Sequence, residues 1–261
     1  MITHTLLPQS MRVLSDYIDF VFHKAHAHIP YYNNKTKRVR GTLRVYVGKG
    51  NPKDIHDEIE HVLIKSHIKK EVLTDEALLQ ILIKNNIGID CSGFVYHVLD
   101  QECINRGYSN LSKHIRFVYA TNIIRKIKCI LKPAQNTDVK TLSHEKNSTQ
   151  IDLNHVLPGD IITMTDNNDE NEHNHILLIH QVESQNGITY KIHYSHAIAY
   201  NEDGLNGTGI RQGIINITNP NKPIYENEWT EGVDNRIPEK LIERAKRSKT
   251  EIRRLNVFSV S

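Results

Sequence analysis

The chain of 261 residues holds only three cysteines, Cys91, Cys103 and Cys129. No two of them form a CxxC pair, so neither a zinc knuckle nor a thioredoxin-like redox motif is available. No run approaches the roughly twenty apolar residues that a membrane-spanning helix needs. Net charge is small, with 33 basic against 30 acidic residues. That balance gives no strong case for nucleic acid or a membrane surface as a partner. The start, Met1-Ile2-Thr3-His4-Thr5-Leu6-Leu7, lacks the basic segment and apolar middle of a signal peptide. As given, the chain reads as cytoplasmic or exported by another route. Internal repeats and low-complexity tracts are also lacking. Apolar content of 38% suffices for a core, and the length suits one elaborated domain over residues 1–261.

Against that background one stretch carries chemistry: Gly88-Ile89-Asp90-Cys91-Ser92-Gly93-Phe94-Val95. From Phe94 the apolar residues recur as Phe94, Val95, Val98 and Leu99, one face of a helix. Asp90 is suited to cap it, which sets Cys91 in the first turn. There unpaired backbone N–H groups and the helix dipole favour a negative sulfur. The thiolate is the nucleophilic form, so the position promotes reactivity. Gly93 allows close approach of another segment or a substrate. Cys103 and Cys129 lie in helical runs and read as packing cysteines.

A cysteine nucleophile needs an imidazole base, and the base needs an orienting partner. Downstream come four strand-like segments, at 156–164, 175–182, 188–199 and 209–217. Asn167-Asn168-Asp169 and Gln185-Asn186-Gly187 separate them as turns. The pattern is an antiparallel meander preceded by the cysteine helix. His175 stands at the mouth of the second strand, and His193 and His196 stand within the third. The last two are three apart and face opposite sides of a regular strand, so only one can point at Cys91. His173, His175, His193 and His196 are also candidate zinc ligands. That reading leaves the Cys91 motif unexplained, and no metal or cofactor is expected.

In this order the segments resemble the NlpC-type peptidases, a papain-like superfamily of cysteine hydrolases best known for cutting bacterial cell-wall peptides. The stretch Gly88–Val95 is similar to the family's nucleophile motif almost letter for letter. Leu157-Pro158-Gly159-Asp160, His175-Ile176-Leu177-Leu178-Ile179, and His196-Ala197 with Gly209-Ile210-Arg211 resemble its strand motifs. The resemblance covers about residues 75 to 217. An upstream helix ending in Ile29-Pro30-Tyr31-Tyr32-Asn33 faintly resembles a family turn whose tyrosine lines the site.

The resemblance implies an α+β, papain-like fold with the helix-borne nucleophile packed on a small antiparallel sheet. It implies Cys91 as nucleophile, His175 as base and His196 as the orienting residue. Backbone N–H groups at the helix start would hold the oxyanion, with Tyr31, Tyr32 and Ser92 as candidate contributors. The implied reaction is amide hydrolysis through a thioester, with a peptide or amide substrate such as a peptidoglycan stem peptide. An amidase, a deamidase or an acyltransferase on the same scaffold stays open, as does a catalytically silent binding protein. Departures from the family are a helical insertion over about residues 34–86, a missing Gly-Gly pair, and a long acidic loop from Thr165 to Asn174. Oligomeric state is not legible.

Elsewhere the periodicity predicts helices over 11–28, 53–69, 74–85 and 112–131, and a short strand over 42–47. A polar loop is expected over 136–150. Residues 220–261 form an extension: an irregular Pro- and Asn-rich run to 238, a basic helix over 239–250, and a closing strand over 254–260. The charges of that helix read as a solvated face.

Overall fold

The computed structural model describes residues 1–33, 43–166, 174–200 and 209–259. It mixes helices with a mostly antiparallel sheet. The strands are β1 (Ile2–Thr5), β2 (Phe20–Phe22), β3 (Ala25–Ala27), β4 (Ser148–Gln150), β5 (Ile161–Thr165), β6 (His175–Gln185), β7 (Ile188–Ile198), β8 (Gly209–Asn216), β9 (Glu228–Glu231) and β10 (Lys249–Leu255). The helices are α1 (Pro8–Ile18), α2 (Pro52–Lys65), α3 (Asp75–Lys84), α4 (Cys91–Asn105), α5 (Ile123–Leu131), α6 (Pro133–Asn136), α7 (Val139–Ser143) and α8 (Glu239–Arg247). None is long and apolar enough to cross a membrane among the described residues.

The meander expected from β5 to β8 is present. Asn186 and Gly187 take φ of 53° and 78°, the left-handed pair of a two-residue hairpin turn. They set Gln185 opposite Ile188 and fix the β6–β7 register. The full path runs β4-β10-β5-β6-β7-β8-β9, with β1 added on β6. This sheet is larger than a small meander because segments from outside it join both sides. β10 lies between β4 and β5, and β9 pairs with β8. The Pro158-Gly159-Asp160 turn explains part of this. Asp160 accepts two hydrogen bonds from Arg254 of β10, both 2.8 Å, a bidentate pairing that locks β10 beside β5.

Each face of the sheet carries its own apolar cluster. Ile176, Leu178 and Ala197 pack with Phe94, Val95 and Val98 of α4. Leu177, Ile179, Tyr194 and Trp229 pack with Leu241 and Ala245 of α8 on the opposite face. α4 is buried on nearly every side, His97 and Glu102 included, as expected of a helix held between the sheet and α1.

Several local expectations fail for identifiable reasons. The helix expected over 11–28 stops at Ile18, and β2 and β3 follow as a hairpin turning at His23, φ 56°. The strand expected over 42–47 is a 3-10 turn over Arg44–Val47, closed by Gly48 at φ 71°. Of the helix expected over 112–131, a 3-10 turn at Leu111–Lys113 and α5 form. The supposed polar loop over 136–150 contains α7 and β4, because Asn147 and Ser148 turn their side chains inward. Asn147 Nδ2 donates to the carbonyls of Arg116 and Thr141, at 2.9 and 2.7 Å, and Ser148 Oγ donates to that of Leu142 at 2.6 Å. His180 on β6 is buried and bonded through Nδ1 to Ser195 Oγ at 2.9 Å.

Gly93 is the tightest point between α4 and the turn that precedes α2. A Cβ there would meet the Gly48 carbonyl oxygen at 2.5 Å and Lys49 Cδ at 3.0 Å. Gly93→Ala is therefore expected to lower unfolding free energy by about 1–3 kcal/mol, the usual cost of overpacking. Urea denaturation of the two proteins measures it, and equal midpoints would refute the close approach.

Candidate active site

Asp90 stands at the start of α4 with extended backbone, and its Oδ1 accepts from the Gly93 N–H at 2.6 Å. This is the capping role read from the sequence. The same oxygen accepts from Ser92 Oγ at 3.1 Å and from the Lys49 ammonium at 2.9 Å. Lys49 also donates to Ser92 Oγ at 2.6 Å and to the Thr137 carbonyl at 3.0 Å, so its three donors are all matched. The Lys49 carbonyl accepts from His97 Nε2 at 2.9 Å, one turn further along α4. The Ser92 hydroxyl is thus taken up by Lys49 and Asp90. Lys49 went unnoticed in the sequence because Gly48-Lys49-Gly50 reads as an exposed turn.

Cys91 is buried beside this pair. Burial pushes its thiol up to about 11, with the Asp90 carboxylate adding to the rise and Lys49 and Arg244 opposing it. At neutral pH the sulfur rests as a thiol.

The second group of residues sits across the strands. His175 Nε2 lies 2.6 Å from His196 Nδ1, and His196 Nε2 lies 2.7 Å from Glu231 Oε1. Tyr194 and Tyr200 donate to the same carboxyl at 3.3 and 3.1 Å. Gly213, opposite Glu231 on β8, leaves the room: a Cβ there would meet the Tyr194 ring at 2.4 Å. Burial pushes the Glu231 carboxyl up, but the His196 field and the three side-chain hydrogen bonds outweigh it and hold the group below the usual range. An ionised Glu231 only accepts, so His196 carries its proton on Nε2. With His196 neutral, its Nδ1 accepts from His175 Nε2–H, which leaves the His175 Nδ1 lone pair available. Burial, and then His196 and Arg244, depress the His175 pKa, which favours the neutral imidazole. Glu231 is the residue sequence reading missed, since it lies in the segment that looks irregular.

His193 bonds instead to Glu183 at 2.7 Å and to Gln181 at 3.2 Å. Of the two histidines on β7, His196 is the one bonded to His175. His173 lies outside the described residues. Among those described, no cluster of histidine, cysteine and carboxylate is arranged to hold a metal.

Alternation along β6 puts His175 on the face of Leu177 and Ile179, opposite the face that α4 covers. Yet His175 opens β6, at the end of the sheet where β7 finishes and β8 begins. The start of α4 comes to that same end. Ile89 N donates to the Pro30 carbonyl at 3.0 Å, and a Cβ on Gly209 would meet the Ile29 carbonyl oxygen at 2.8 Å. The Arg244 guanidinium acts on Cys91, Tyr31 and His175 alike. No hydrogen bond joins Cys91 to His175 among the described residues. Tyr31 stands beside Cys91, its hydroxyl pushed up by burial and then by Cys91 and Asp90. Tyr32 packs over Gly88, and its buried hydroxyl has no hydrogen-bond partner among the described residues.

Compared with family models, curated proteins and solved structures, the chain matches none.

Two expectations follow from the charges. Iodoacetamide should label Cys91 more slowly at about pH 7 than an ordinary cysteine of pKa about 8.5, accelerating as pH rises. Peptide mass mapping reads the rate, and fast labelling near pH 6 would mean a preformed thiolate instead. Second, burial depresses His97 and His180 to about 4. Their stabilisation is complete above the unfolded value of about 6.5 and is lost as pH falls, by about 2 kcal/mol for each at about pH 5. Denaturation midpoints across that range check it; a flat profile would refute neutral burial.

Proposed function

We propose that the protein is a cysteine hydrolase on a papain-like scaffold, cleaving an amide bond through a thioester, with a bacterial cell-wall stem peptide as substrate. The observation that carries the reading is the ordered chain His175–His196–Glu231, ending in a free imidazole lone pair at the sheet end that receives the cysteine-bearing helix start.

In this reading His175 Nδ1 takes the Cys91 proton, directly or through one water, as sulfur attacks the carbonyl carbon. The C–S bond forms, and the oxyanion meets the backbone N–H groups at the start of α4. The imidazolium is stabilised through His196 by the Glu231 charge. His175 then protonates the amine nitrogen, the C–N bond breaks, and a thioester remains. Water attacks that thioester, giving its proton to His175, and the thiol leaves as acid is released. The neutral resting pair fits general-base activation during attack.

Arg244 supports an anionic substrate. Its half-buried guanidinium borders a 120 Å³ recess lined by Ile198, Ala199, Tyr200 and Lys240. A free carboxylate of a peptide complements such a cation.

The test is turnover of synthetic stem peptides and their amidated counterparts. Cys91→Ala should abolish it. Glu231→Gln should lower kcat by roughly 10² to 10⁴, the usual contribution of general-base catalysis. Arg244→Gln should raise KM for the carboxylate form and not for the amidated one. Turnover that survives Cys91→Ala, or no hydrolysis of any amide by the native chain, would sink the reading.

A further inference from the structure

Helix α5 has its apolar side outward. Ile123, Ile124, Ile127, Ile130 and Leu131 are each 51 to 74% exposed, while Cys129 is buried. At about 100° per residue the five fall within one arc of roughly 120°, with Cys129 on the far side. Lys126 and Lys128, both exposed, fall just outside the two edges of that arc. Arg125 and Lys132 add two further cations, and no acidic residue occurs from Asn122 to Lys132.

The helix is held in place before any partner arrives. Asn122 caps its start by accepting from Arg125 N–H at 2.8 Å, and Asn136 Nδ2 donates to the Lys132 carbonyl at 2.7 Å beyond its end. Five large aliphatic side chains in water on one rigid face mark a docking surface rather than scattered exposure.

Charge and composition choose the occupant. A second copy meeting this face about a two-fold axis would set the two bordering lysines against the same two lysines. A protein partner is recognised mostly by aromatic anchors, and this helix contains no aromatic residue. An apolar stripe edged by two lysines matches a bilayer interface instead: the aliphatic side chains enter the acyl boundary and the ammonium groups reach back to anionic headgroups. The small net charge of the whole chain conceals this, because the acidic residues that balance these four cations lie outside the segment Asn122–Lys132.

We propose that α5 is an interfacial anchor that docks the protein on an anionic lipid bilayer, lying in its plane. The inference is independent of the hydrolase reading.

The experiment is co-sedimentation of the full chain with vesicles of phosphatidylcholine alone or mixed with phosphatidylglycerol. Binding to the mixed vesicles is expected, weakened by salt. Ile124→Asp with Ile127→Asp should abolish it. Lys126→Gln with Lys128→Gln should weaken it about fivefold per cation, so roughly 25-fold together. Unchanged far-UV circular dichroism would show that each variant folds. No sedimentation with either vesicle, or equal binding to both, would overturn the proposal. So would a concentration-dependent dimer in sedimentation velocity that both variants abolish while the native chain ignores vesicles.

Discussion

The buried Lys49–Asp90 pair organises the Cys91 side of the candidate site. Two charges out of water are costly unless every donor and acceptor is matched. Here the ammonium spans Asp90, Ser92 and the Thr137 carbonyl, and the carboxyl caps α4. The pair therefore ties two distant segments, the turn before α2 and the residue that follows α6, to the start of α4. Gly48 and Gly93 are needed because nothing larger fits where those backbones meet. The position of Cys91 is a consequence of this junction rather than of contacts made by its own sulfur.

On the base side a different economy applies. Glu231 is the charged end of the relay, and three polar side chains, those of His196, Tyr194 and Tyr200, converge to hold its carboxyl below the usual range at 1% exposure. The relay fixes a tautomer, and a fixed tautomer is what distinguishes a base from a histidine that happens to be buried. His180 shows the contrast: it is equally desolvated, yet it ends on Ser195 and connects to no carboxylate.

The parts of the chain that were readable from sequence share a cause. β5 to β8 alternate or run apolar between strong turn residues, and α4 begins at a residue whose side chain has one obvious use. What sequence reading missed depends on partners far along the chain. Val45 and Tyr46 look like strand residues until Gly48 closes the turn that brings Lys49 beneath Asp90. Asn147 and Ser148 look solvated until the Arg116 carbonyl and the Arg253 guanidinium meet them. Glu231 sits in a stretch rich in Pro and Asn, on a short strand that pairs with β8. The exposed stripe of α5 was visible as periodicity, but periodicity cannot say which way an amphipathic helix faces.

The place of β10 has a consequence for the order in which the molecule is made. A ribosome delivers β4 and β5 about a hundred residues before the strand that separates them. Until Lys249–Leu255 emerges, β5 has an unpaired edge and Asp160 lacks its arginine. Glu231 arrives late as well, some 140 residues after Cys91. A nascent chain therefore carries its sulfur through most of synthesis with no oriented base. Any chemistry of the kind proposed waits until the sheet closes.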